Sequence, residues 1–325
     1  MHPTRRAVLA LAALAAEAGP LAARAQAWPA RPIRIVVPFP PGGGTDIIAR
    51  ETTQRVAAAT GWTFVVDNRP GAGGNLGVDA VAKAPADGYT LVLGQTSNLA
   101  INPSLYAKLP YDPQKDLAPI LVVATAPLVL VTGAQTQFRS VAEVVAASKA
   151  KPGVVNFASP GNGTVAHLTG EMFQKAAGIR LQHVPYKGTS QALTDVLAGT
   201  VELYMSSVPT MLGQIKQNKV RPLAVTSARR VDDLPTVPTL VESGYKGFDA
   251  TTWFGLLAPA NTPREVIARI NAEFNKALKM PELAKRLGDE GADPAGGTPE
   301  QFAALIREDI PRWGRVVRES GAKVD

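Results

Sequence analysis

Two short stretches of this sequence carry residues that can grip an anion without a charged side chain. Pro41, Gly42, Gly43, Gly44 and Thr45 read P-G-G-G-T, and Pro160, Gly161, Asn162, Gly163 and Thr164 read P-G-N-G-T. Each follows an apolar run ("IRIVVPF", "VVNFAS") and leads into a helical pattern ("DIIARETTQ", "VAHLTGEMF"). A helix that starts directly after a strand presents N–H groups without partners and a partial positive charge. Glycine lets a ligand approach the backbone closely, and Thr45 and Thr164 add hydroxyl donors. The repeated pattern predicts two loops that face one cleft, each gripping one carboxylate or both crowding one ligand. Either loop alone also reads as an ordinary strand-to-helix turn with Asp46 or Thr164 as N-cap. Asp46 suits that capping role better than ligand contact, because its charge would repel an anion.

Other chemistry is sparse. There is no cysteine, and the only histidines are His2, His167 and His183. Disulfides and thiolate nucleophiles are thereby excluded, and a histidine-rich metal site or a histidine-based triad is disfavoured. No G-x-S-x-G nucleophile turn and no G-x-x-x-x-G-K-[ST] phosphate loop is present. A third glycine cluster, "NRPGAGGNLG", spaces Gly71, Gly73 and Gly77 one residue too widely for the dinucleotide fingerprint. No metal and no cofactor is expected. His167 falls in the first turn after the second loop, where it can pack, donate a hydrogen bond or act as a base. His183 reads as structural or close to the cleft. Lys187 opens another helix and can face an anion as readily as solvent. Polar clusters at 94–98 and 205–207 end strand-like runs. Ligands of doubly wound sheets sit at the carboxyl ends of strands, so Ser97 and Ser206 become cleft candidates.

The elements that would position these residues follow an α/β rhythm. Strand patterns fall at 33–37, 63–66, 90–94, 117–124, 128–132, 154–158, 181–185, 201–205 and 222–226. Helical patterns fall at 46–59, 77–84, 141–150, 165–176, 189–198 and 209–217. This alternation predicts parallel sheets with helices on both faces. Two places depart from it. "LAPILVVATAPLVLVTG" joins two apolar runs with no helix between them, and "TTWFGLLAP" starts another run at 251, ahead of helices at 263–279 and 299–320. Two chain crossings there give two domains, 28–127 with 251–325 and 128–250, around a cleft. The alternative is one continuous sheet of about ten strands, near the upper size of open twisted sheets.

The chain has 325 residues, 46% of them hydrophobic, and a formal net charge of +7. No Lys/Arg run interleaved with aromatic residues marks a nucleic-acid surface. Residues 1–27 read as a removable export signal: a basic "MHPTRR", an apolar stretch too short to span a bilayer, and "AQA" as the cleavage site. The Arg5–Arg6 pair fits either a twin-arginine or an ordinary secretory route.

Taken together, the chain resembles the substrate-binding proteins of tripartite tricarboxylate transporters, the Bug family. The resemblance rests on "WPARPIRIVVPFPPGGGTDIIAR", "VVDNRPGAGGNLGVDAVAKAPADGYTLVLG", "INPSLYAKLPYDPQKDLAPI", "VNFASPGNGTVAHLTGEMF", "VPYKGTSQALTDVLAGTVELYM" and "VRPLAVTSARRVDDLPTVPTLVESG". It implies a two-domain periplasmic-binding-protein fold, type II-like, with two doubly wound sheets around a hinged ligand cleft and no catalysis. It also implies a carboxylate held by the first loop (Phe39, Pro41, Gly43, Gly44, Thr45) and the second (Ser159, Gly161, Gly163, Thr164, with His167 following). Delivery would go to large and small integral-membrane subunits, or the closed form would be read by a sensor kinase. Where many relatives place an Asp directly after the strand "VELYM", this chain has Ser206. That implies a ligand without an amino group: a di- or tricarboxylate, or an aromatic carboxylate. The rival from the enzyme class is an exported hydrolase using His167.

Overall fold

The apolar run at 33–37 forms β1 (Ile33–Val37), with four of its five residues buried. It feeds the first glycine loop and α1 (Gly44–Thr60), which ends on the left-handed Gly61. In this computed structural model residues 28–324 are described, and the expected export signal at 1–27 lies outside them. From Pro32 onward the chain is one compact body.

After α1 come β2 (Phe64–Asn68), a 3₁₀ turn at Ala72–Gly74 and α2 (Asn75–Ala82). Then follow β3 (Thr90–Gln95), a π-helical turn at Ser97–Ile101, α3 (Asn102–Leu105) and β4 (Leu117–Gly133). The next stretch runs α4 (Val141–Ala150), β5 (Asn156–Ser159), α5 (Val165–Ala177), β6 (Gln182–Pro185), α6 (Thr189–Ala198), β7 (Leu203–Ser207), α7 (Val208–Lys216) and β8 (Val220–Val225). The chain returns through β9 (Thr251–Pro259), α8 (Arg264–Leu278), α9 (Pro281–Asp289), β10 (Asp293–Gly296) and α10 (Pro299–Ser320).

The strands hydrogen-bond in the order β2-β1-β3-β9-β4-β7-β5-β6, with β8 and β10 also on β4. The expectation of parallel sheets is corrected to mixed ones. β1 is parallel to β2 and β3, and β5 is parallel to β6 and β7. Every pairing of β4 and β9 is antiparallel. The two runs expected at 117–124 and 128–132 are one 17-residue strand. Ala126 and Pro127 do not break it, because their stretch continues the register with β9 up to the Pro127–Thr251 pair. From Leu128 the same strand pairs with β7 and β8 instead. β4 thus links the two groups of parallel strands, reaching β7 directly and β3 through β9. Its residues alternate faces as a strand must: Leu128 and Leu130 enter one apolar cluster with Phe157, Trp253 and Trp313, while Val129 and Val131 enter another with Tyr204 and Met211. Such a strand, buried on both faces, reads as a continuous apolar run rather than an alternation.

α10 closes the fold over β4. Its start is fixed by a capping box between Thr298 and Gln301, with Pro299 in the first turn, and its end by the left-handed Gly321. Trp253 Nε1 donates to the buried carboxylate of Asp309 on this helix at 2.7 Å. No helix among the described residues is long and apolar enough to cross a membrane.

Candidate ligand-binding site

The first loop is held by one buried carboxylate. Asp46 Oδ2 accepts the N–H of Gly42 at 2.9 Å, and Oδ1 accepts from Arg50 Nε and Asn68 Nδ2, both at 3.0 Å. Asn68 also donates to the carbonyl of Phe39 at 3.1 Å. Burial alone would raise the Asp46 pKa. The Arg50, Gly42 and Asn68 hydrogen bonds overcome that, and the net shift is downward. Asp46 is therefore ionised and occupied within the protein, away from any ligand. It is not the N-cap: Gly43 holds that position and Asp46 braces the loop from inside the first turn.

The second loop keeps its expected cap, with Thr164 Oγ1 accepting the N–H of His167 at 3.3 Å. The first-turn N–H groups of Thr45 and Ala166 have no backbone carbonyl partner, as at any helix start. Two hydrogen bonds tie the loops across the fold. Gly44 N–H donates to Thr210 Oγ1 and Val165 N–H donates to Ser97 Oγ, each at 3.0 Å.

Between the loops lies a cavity of about 660 Å³, within the range of small-molecule sites. Phe39, Pro41, Gly43, Gly44, Thr45, Ser97, Gly161, Thr164 and Ser206 all line it. The structure therefore gathers nine of the residues expected there, from the ends of β1, β3, β5 and β7. Ser159, Gly163 and His167 are not among the lining residues and sit behind the second loop instead. Ser159 Oγ is fully buried against His183 Nε2 at 2.7 Å. Gly163 N–H donates to His167 Nδ1 at 3.0 Å. A side chain at Gly163 would collide with Leu105, not with a ligand, and the residue holds a φ of +70°.

The geometry also brings in residues that the paired loops did not reveal. Pro70–Gly74 of the third glycine cluster forms part of the wall, with Tyr106 and Phe254. That cluster follows a strand and opens a helix as the other two do, and this was the available signal. Lys187 is the one charged side chain among the described lining residues, and no acidic side chain is among them. The Tyr186 ring also lines the cavity, but its hydroxyl donates to Asp195 Oδ2 at 2.6 Å. Burial, with Asp195 adding to it, pushes that phenol up to about 12.

His167 cannot serve as a base toward the cleft. Its Nδ1 lone pair accepts from Gly163, and its Nε2 faces Glu171 at 3.6 Å. Its ring lies flat on His183, with centroids 3.8 Å apart and planes 6° from parallel. Among the described residues no cluster of three or more His, Cys, Asp or Glu side chains is arranged to hold a metal ion.

Converging helix starts, hydroxyls and one lysine around a concave, mostly apolar cavity make a receptor-type site for a small anion. The model of the tripartite tricarboxylate transporter family receptor matches residues 48–322, and the chain belongs to that family, whose members are non-enzymatic. BugT of Bordetella pertussis (strain Tohama I) is 42% identical over 301 residues, covering 92% of this chain and 92% of BugT. An R. palustris protein solved with adipate superimposes with a TM-score of 0.88 at 34% identity, covering 91% of this chain and 99% of that one. MatC of Rhodopseudomonas palustris, solved with bound malate, gives a TM-score of 0.83 at 31% identity, covering 89% of this chain and all of MatC.

Proposed function

We propose that this receptor works in the periplasm, after export by residues 1–27, and takes a small carboxylate lacking an amino group into the cavity between its glycine loops. The observation that carries this reading is the charge pattern of the lining: helix N-termini, hydroxyls and Lys187, with no acidic side chain among the described residues. An anion gains from each of these groups. An ammonium group would find no counter-charge, and Ser206 occupies the place where one would be expected. The adipate- and malate-bound relatives support the same ligand class. Isothermal titration of succinate against aspartate, and of glutarate against glutamate, tests it. The unaminated acids are expected to bind more tightly; tighter binding of the amino acids refutes the reading.

The two segment groups 28–127 with 251–325 and 128–250 act as lobes, and β4 and the 226–251 connection serve as hinges. Ligand shifts the population toward a closed form, which requires tighter binding to that form. The Gly44–Thr210 and Val165–Ser97 hydrogen bonds join the lobes at the cavity. Delivery goes to a tripartite-type membrane transporter. Deleting the gene should abolish uptake of the ligand while leaving any induction by it intact. Intact uptake with lost induction would assign the protein to a sensor instead, a role that no observation on the fold or its relatives favours.

A further inference from the structure

The three expected site residues that miss the cavity form one network directly behind the second loop. His167 Nδ1 accepts the N–H of Gly163 at 3.0 Å, so the nitrogen facing the loop carries no proton. The ring stacks on His183 at 3.8 Å, and Phe157 extends the stack at 4.8 Å from His183. His183 Nε2 meets Ser159 Oγ at 2.7 Å, and that hydroxyl also bonds the backbone of Gly161, with its carbonyl at 3.0 Å and its N–H at 3.3 Å. One imidazole therefore holds each end of the loop. Between them the backbone turns through Gly163, at a φ of +70°, before Thr164 caps α5.

We infer that His167 and His183 are positioning residues for ligand binding: the stacked pair fixes the second loop so that the start of α5 is presented to the ligand carboxylate. This rests on the reading of the cavity as a carboxylate site. The requirement is specific to a neutral His167. A proton on Nδ1 would set one N–H against another at Gly163 and place a cation face to face with His183. Glu171 on the same helix and His183 on β6 are the titratable groups that face His167, at 3.6 Å and in the stack. β5 brings Phe157 and Ser159, which carry no charge.

The test measures adipate and malate affinity by titration calorimetry for the wild type, His167→Asn, His167→Leu and Ser159→Ala, with circular dichroism reporting folding. Asn places an acceptor oxygen close to where Nδ1 lies; Leu keeps the bulk without it. His167→Asn should bind within about threefold of the wild type, and His167→Leu about tenfold more weakly, the scale of one buried hydrogen bond. Ser159→Ala releases the other end of the loop without removing bulk, and it should weaken binding several-fold even where His167→Leu fails to fold. Unchanged affinity in His167→Leu and Ser159→Ala, or equal loss in His167→Asn and His167→Leu, overturns the proposal while the site stands. A wild type that binds neither these acids nor any other unaminated carboxylate overturns the reading of the site, and this proposal with it.

Discussion

Gly44 shows what a single residue contributes to this cleft. A Cβ there would sit 2.8 Å from Ser207 Oγ and 3.4 Å from Thr210 Oγ1, both at the start of α7. Its backbone is helical, so alanine carries no conformational penalty at the site itself. Gly44→Ala should therefore weaken ligand binding about tenfold, by pushing the first loop away from the start of α7, while leaving the thermal midpoint of the ligand-free protein close to that of the wild type. Equal affinity would place the ligand elsewhere. Lys187 contributes differently, as the lone cation among the described lining residues. Lys187→Met should cost about tenfold in affinity, typical of a charge-assisted hydrogen bond. The dependence of affinity on salt should also become shallower, measured by titration at low and high ionic strength. At this scale the sequence was informative where chemistry follows from backbone freedom, as at Gly43, Gly44 and Thr45. It was blind to direction. His167 follows the second loop in sequence, yet its ring turns away from the cavity to serve Gly163, and spacing alone carries no sign of which way a ring will point.

The strand–loop–helix units set both stability and its pH dependence. In the first unit Asp46 accepts from Gly42, Arg50 and Asn68. Asp46→Ala strands these donors and should destabilise the fold by about 1–3 kcal/mol in urea unfolding. Because its pKa is lowered on folding, this contribution is present above the unfolded carboxylate value of 3.8 and is lost as pH falls through the folded one. In the second unit, burial and then repulsion from His167 lower His183 from 6.5 to about 3. The unfolded chain binds that proton first, so stability is complete above about pH 6.5. It should fall by about 1.4 kcal/mol per pH unit as pH drops toward the folded value. Urea midpoints of the wild type and His183→Phe, compared at pH values on either side of 6.5, should diverge by this slope; parallel curves would mean that His183 already titrates normally. Periodicity found the helices Val141–Ala150, Thr189–Ala198 and Pro299–Ser320 to the residue, because caps and apolar spacing agree there. It missed β10, whose Asp293–Gly296 stretch contains Pro294 and has strand character only through its pairing with β4.

For the whole molecule, the alternation of strands and helices was legible but the direction of the strands was not. β4 and β9 run against their neighbours, and nothing in an apolar run says whether the partner is parallel. The recurrence of P-G-x-G-T nonetheless pointed to two loops at one cleft, because identical local solutions at two strand ends serve one ligand only if the fold brings those ends together. The measurement that tests the central claim most directly is a thermal-shift screen on the chain from Trp28, unfolded and refolded to strip any bound ligand. The panel holds citrate, four- to six-carbon dicarboxylates, aromatic carboxylates, amino acids and nucleotides. A ligand at 100 times its Kd stabilises by about 2.7 kcal/mol, visible as a shift of a few degrees. The account predicts a shift with one class of unaminated carboxylate and none with nucleotides. A response to nucleotides with silence from every carboxylate would contradict it.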